Sequence, residues 1–177
     1  MSRILAIDPG ATTGWCLYVD DDLGRYVQAC GSFREDAFFD IPATIFGQCD
    51  AAVIERPVAH GPTYPQVVEC AWVAGCLWRD MLHVIGREKI HLLTRLQVRQ
   101  TLTEATHGIV RVKNDATAWA ALVLLHGDDS DRKPKTKKGK VVDAGGPLGS
   151  VKAHERAALA VAVAFALRAA VTAGDRT

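Results

Sequence analysis

The chain has 177 residues, 49% of them apolar and 23% charged, with a net charge of +1 at neutral pH. This is the size and balance of one soluble domain, residues 1–177, with a core of its own, and a near-neutral total does not exclude a nucleic-acid partner, because a local patch suffices. The longest apolar run, Ala157 to Leu167, falls short of the roughly 20 residues a bilayer span requires. The five cysteines are odd in number and form no Cys-x-x-Cys pair, which favours reduced thiols over a disulfide framework or a zinc site. With no signal-peptide pattern at the N-terminus, the expected location is the cytoplasm, and no membrane partner is expected.

In chain order, Ile4, Leu5 and Ile7 read as a buried strand that ends at Asp8, because Pro9-Gly10 breaks it. Trp15 to Val19 and Tyr26 to Phe33 follow as two more strands of an antiparallel meander. Residues 35–48 suggest a short helix interrupted at Pro42. Ala51 to Ile54 is a compact buried strand ending at Glu55, with Arg56-Pro57 behind it. Residues 66–85 carry apolar side chains at helical spacing, and Ala71, Ala74 and Gly75 would let a second helix approach closely. Ile90 to Leu93 predicts a fifth strand, Thr94 an N-cap for a helix to Thr103, and Lys113 to Leu125 a further helix. Residues 127–150 are rich in Asp, Lys, Gly and Pro and read as a basic flexible loop. From Val151 to Thr172 a last helix is expected, rich in alanine and valine. Three strands followed by alternating helix and strand is an α/β order with a five-stranded mixed sheet flanked by helices.

Asp8 and Glu55 share one setting. Each directly follows an apolar strand, and each precedes a proline-containing break. A strand-ending aspartate is also a common turn cap, so Asp8 alone decides little. If the two strands are parallel neighbours, however, the carboxylates meet and repel unless a cation lies between them. Hard divalent ions such as Mg²⁺ or Mn²⁺ suit such oxygen ligands, and two of them about 4 Å apart can drive phosphodiester cleavage. His154 and Glu155, in the first turn of the last helix, are candidates for the remaining positions, set against the plainer reading of ordinary first-turn residues. A helix N-terminus disfavours an isolated cation, so His154 fits there as the neutral imidazole. The opening also fits an actin-like ATPase fragment, with Gly10, Thr12 and Thr13 on phosphate, but such proteins need two domains around the nucleotide.

IDPGATTGW, AAVIERP, RLQVRQTLTE with VKNDATAWAALV, and HERAALAVAVAFA, in that order, resemble the RuvC-type Holliday junction resolvases of bacteria and phages. The resemblance covers nearly the whole chain. It implies a ribonuclease H-like fold, a homodimer, and cleavage of branched DNA with two Mg²⁺ or Mn²⁺ ions and no organic cofactor, in a bacterial or phage-infected cell. It implies Asp8, Glu55 and His154 as metal ligands and Lys113 near a DNA phosphate, while Glu155 is a weaker fourth catalytic candidate from its place beside His154. Two positions depart from the family pattern. Ala157 stands where many members carry an aspartate, and Val58 where bacterial members carry a base-stacking aromatic, for which His60 or Tyr64 are candidates, set against the plainer reading of simple loop residues.

Arg132, Lys133, Lys135, Lys137, Lys138 and Lys140 crowd into the loop before the last helix. A charge run of this kind is often only a solvated face, but beside a phosphodiester site it would bind DNA phosphates. Arg95, Arg99, Arg111 and Lys113 would extend that surface. The four tryptophans sit among apolar residues and read as core or dimer-interface packing. Taken with that resemblance, the expected function is a metal-dependent, structure-selective endonuclease, and the resemblance implies a role in DNA recombination and repair. The alternatives are a junction-binding relative without activity, or the ATPase fragment. The helix over residues 66–85 is the expected dimer face.

Overall fold

Alternating side chains along the first strand decide the layering. In β1 (Ser2–Asp8), Ile4 and Ala6 enter one core while Leu5 and Ile7 enter another on the opposite face of the sheet. β2 (Thr12–Asp21) divides in the same way, Cys16 and Tyr18 to the first core and Trp15 and Leu17 to the second. A strand covered on both faces needs apolar residues at every position, which is why the centre of the sheet reads as unbroken apolar runs. The computed structural model describes residues 2–21, 24–34, 41, 43–58, 65–127, 135–137, 140–142 and 147–174.

The five-stranded sheet has the order β3-β2-β1-β4-β5, with β3 (Gly24–Arg34) and β5 (Ile90–Thr94) at its edges. β1 runs antiparallel to β2 and parallel to β4 (Ala51–Arg56), and β4 runs parallel to β5. Trp15 lies opposite Gly31, and a Cβ there would strike the indole, so the glycine gives the ring its place.

A short α1 (Ala43–Phe46) and the long α2 (Pro65–Ile85) cover one face, α2 through Val73, Leu77 and Met81. α3 (Arg95–Ala105), α4 (Asp115–His126) and α5 (Ala153–Gly174) cover the other. Every residue of α5 from Ala158 to Ala164 is buried. A helix apolar all round must be enclosed, and α5 packs against the sheet while also contacting α3 and α4. Its small alanines permit that close approach.

The expected elements are present with shifted ends. β4 continues through Glu55 to Arg56, so Glu55 lies within the strand rather than after it. Thr94 caps α3 through a reciprocal capping box with Gln97. α4 starts at Asp115 rather than Lys113, because the Asn114 side chain accepts the Thr117 N–H at 3.0 Å and holds the cap two residues later. Between residues 35 and 48, the described helix is Ala43–Phe46 alone, and Pro42 lies outside the described residues. The loop expected over 127–150 includes a small hairpin, β6 (Lys135–Lys137) against β7 (Lys140–Val142). Val141-Val142 supplies β-branched residues suited to a strand. Among the described residues no helix is long and apolar enough to cross a membrane.

Candidate active site at the ends of the central strands

The parallel register of β1 and β4 pairs Ala6 with Val53 and Ile7 with Ile54. One step further along, Asp8 lies beside Glu55. Neighbouring strands are about 4.8 Å apart, and side chains two residues apart share a face. Asp8 therefore shares the face of Ala6, and Glu55 that of Val53, which is the face covered by α5. Two carboxylates are thus held side by side where the sheet ends under the first turn of α5.

The cation between them belongs to the protein. Arg95, the first residue of α3, sends its Nε to Glu55 Oε1 at 2.7 Å and its Nη2 to Asp8 Oδ1 at 3.5 Å. Its Nη1 lies 3.8 Å from Asp115 Oδ1, on the first residue of α4. The Asp8 and Glu55 side chains are only 15% and 12% exposed, whereas those of Arg95 and Asp115 are 45% and 79% exposed. Burial, reinforced by the Glu55 charge, raises the Asp8 carboxyl to about 7 even though Arg95 opposes the shift. Burial also raises Glu55, again against the pull of Arg95.

A cleft of about 410 Å³ opens here, lined by Asp8, Glu55, Arg95, Asp115, His154 and Ala157 among others. A second cleft of about 600 Å³ shares Asp8, Glu55 and Arg95 and runs past Val58 to Gln66. His154 is exposed on the first turn of α5 and borders the first cleft with both strand-end carboxylates. Gly14 makes that placement possible, because a Cβ there would overlap the His154 carbonyl oxygen. Ala157, one turn on, presents only a methyl group to the cleft.

Glu155 does not line this cleft, which corrects the expectation of a weaker fourth ligand beside Asp8, Glu55 and His154. It is buried, 6% exposed, on the side of α5 that faces β3. There it accepts the Lys152 N–H at 2.8 Å and the Cys30 thiol at 3.4 Å. Reaching back from the third helical position to the N-cap N–H is half of a capping box. A helix turns about 100° per residue, and that step carries Glu155 round toward Cys30 on β3 while His154 stays at the cleft.

Arg111 and Lys113 are exposed in the connection between α3 and α4, on either side of buried Val112, and Lys113 precedes the cleft residue Asn114. Lys133 and Lys138, with Arg132, His60 and Tyr64, lie outside the described residues, as do the side chains of Lys135, Lys137 and Lys140. Asp115 was not anticipated. Its only signal is an acidic residue beside the N-cap Asn114, which is common in ordinary helices. Trp15 is buried, Trp78 and Trp119 are partly buried against the cores, and Trp72 stands 65% exposed on α2. The Thr13 hydroxyl, which the ATPase alternative assigns to phosphate, is buried and bonded within the turn, donating to Gly10 O at 3.2 Å and accepting the Gly10 N–H at 3.4 Å.

Among the described residues no three acidic, histidine or cysteine side chains are grouped closely enough to hold a metal as they stand. The donor chemistry nevertheless fits a hard divalent ion: two desolvated carboxylates in adjacent register, with an imidazole and a third carboxylate on the same cleft.

The sheet order, its mixed strand directions and the helices on both faces define a ribonuclease H-like α/β fold. Among solved structures, the chain is similar to T. thermophilus RuvC in complex with Holliday junction substrate, at 14% identity over 96% of each chain and a TM-score of 0.56. No protein-family model matches the chain, and neither does any curated protein.

Proposed function

We propose that this protein is a divalent-metal-dependent endonuclease that cuts branched DNA, with Holliday junctions as first substrate. The observation that carries the reading is the parallel register of β1 and β4, which sets Asp8 beside Glu55 on the α5 face with His154 on the same cleft. The likeness in fold to a RuvC bound to a junction supports the choice of substrate. Asp8, Glu55 and His154 would hold two Mg²⁺ or Mn²⁺ ions, and Asp115 is a further donor. When bound, the ions supply Lewis acidity for hydrolysis of a phosphodiester. The chain itself orients the carboxylates through the sheet and sets the imidazole through the fixed first turn of α5.

Lys113, Arg111 and the lysines at 133, 135, 137 and 138 would meet DNA phosphates, which dominate affinity and confer no sequence preference. A homodimer formed across α2, an intracellular location and a role in recombination or repair belong to the same proposal. The exposed Val68 and Trp72 favour α2 as the contact, as does a shallow groove lined by Ala71, Gly75, Trp78 and Leu92.

The test is cleavage of synthetic junctions, flaps and duplexes with Mg²⁺ or Mn²⁺, by the wild type and by Asp8→Asn. Cleavage of branched substrates that is lost in Asp8→Asn is expected. Ala157 supports one second reading, a junction-binding relative without activity. It predicts tight junction binding and no cleavage with any divalent ion.

A further inference from the structure

The three guanidine nitrogens of Arg95 face three different carboxylates: Nε to Glu55, Nη2 to Asp8 and Nη1 to Asp115. The residue stands where strand and helix meet, since Thr94 pairs with Arg56 at the end of β4 and then caps α3. The Thr94 N–H is held by Gln97 Oε1 at 2.8 Å, and the Gln97 N–H reaches Thr94 Oγ1 at 3.2 Å. The backbone that carries Arg95 is therefore fixed, while its side chain is long and nearly half exposed.

A divalent ion bound to carboxylate oxygens sits about 2.0–2.6 Å from them. A guanidinium nitrogen already lies 2.7 Å from Glu55 Oε1, on the side facing Asp8. Ion and guanidinium cannot share that space, and their charges repel. The guanidinium end of the pair is nearly half exposed, so Arg95 can swing toward solvent when a stronger cation takes its place between the carboxylates. One turn further along α3, Arg99 lines the same two clefts, so a displaced Arg95 would join an existing basic edge.

We infer that Arg95 is the built-in counter-ion of the acidic cluster, and that metal loading requires its guanidinium to swing out of the space between Asp8 and Glu55. This inference rests on the metal-dependent reading above. Apparent metal affinity is then reduced by the fraction of molecules in which Arg95 is seated. Arg95 is a positioning residue in this role, acting on the carboxylates that hold the metal.

The experiment is calorimetric titration of Mn²⁺ into the metal-free full chain, comparing wild type, Arg95→Gln, Arg95→Lys and Arg79→Gln. Arg79 pairs with Asp80 on the surface of α2 and controls for the removed charge. Arg95→Gln should bind Mn²⁺ about tenfold more tightly, because every molecule is then competent. Arg95→Lys should fall between Arg95→Gln and wild type, and Arg79→Gln should match wild type. Metal-free Arg95→Gln should melt at a lower temperature than wild type, with the difference removed by saturating Mn²⁺. Unchanged or weaker Mn²⁺ binding by both folded Arg95 variants overturns the inference. If the wild type still cleaves junctions in an Asp8-dependent way, the functional reading survives that result. If neither wild type nor Arg95→Gln binds Mn²⁺, both fall together.

Discussion

Asp8 is held in a state that opposes stability. Its folded carboxyl is raised to about 7 from an ordinary value of 3.8, so the folded chain keeps a proton that the unfolded chain releases. The resulting stabilisation is complete below about pH 4 and is lost as pH climbs through 7. His126 has the opposite slope. Burial lowers it to about 4, and its Nε2 finds no hydrogen-bond partner among the described residues. Its stabilisation is present above about pH 6.5 and is lost as pH falls toward 4. The two slopes offset each other across the acid range, so the informative quantity is the difference between variant and wild type. Metal-free Asp8→Asn should melt at least about 3 °C above wild type at pH 8, with a smaller gap at pH 5. Melting curves across that range check this, and a constant or negative gap would count against a strained Asp8. Glu155 makes a second test at this scale. Glu155→Ala leaves the Lys152 N–H without its acceptor and should cost about 1–3 kcal/mol in denaturant titration. Glu155→Gln keeps an acceptor and should cost less. Both should retain metal-dependent cleavage in the folded fraction, and loss of cleavage in a stable Glu155→Gln would return that side chain to the catalytic set.

At the scale of elements, α5 does the most to build the site. Its alanine-rich middle seats it against the sheet, and Gly14 on β2 lets its first turn come within reach of the strand ends. Gly14→Ala should cost about 1–3 kcal/mol through overlap with the His154 carbonyl, and should also weaken Mn²⁺ binding by moving the imidazole. Gly31→Ala, which crowds Trp15 instead, should destabilise without that loss of affinity. Equal Mn²⁺ affinities in the two variants would show that the first turn of α5 has no part in the metal site. Most elements were legible in the sequence because their signals are local: the helical period of α2, the Thr94 cap and the apolar runs of β1 and β4. The β6–β7 hairpin was not, since two valines in a lysine-rich segment are a faint strand pattern.

For the whole molecule, the proposed function assigns a second copy to α2 and DNA to the basic segment. Trp72→Lys on exposed α2 should shift a dimer toward monomer in sedimentation velocity, and an unchanged sedimentation coefficient would exclude that face. Deleting residues 131–145 should weaken junction binding and flatten its salt dependence. For every phosphate that the shortened chain no longer neutralises, the steepness of the negative slope of log affinity against log salt should drop by about 0.9. An unchanged slope would remove those lysines from the interface.

The sequence by itself determined the order of elements, the two strand-end carboxylates Asp8 and Glu55, and a histidine at the head of the last helix. These are features of short stretches, set by propensity, period and breaker residues. Only the tertiary structure decided that Arg95 sits among the carboxylates, that Asp115 reaches the same cluster from α4, and that Glu155 faces Cys30 instead. The physical reason is that ion pairing depends on distance in space. Residues 8, 55, 95 and 115 meet only once parallel strand pairing and the docking of α3 and α4 have closed the long loops between them.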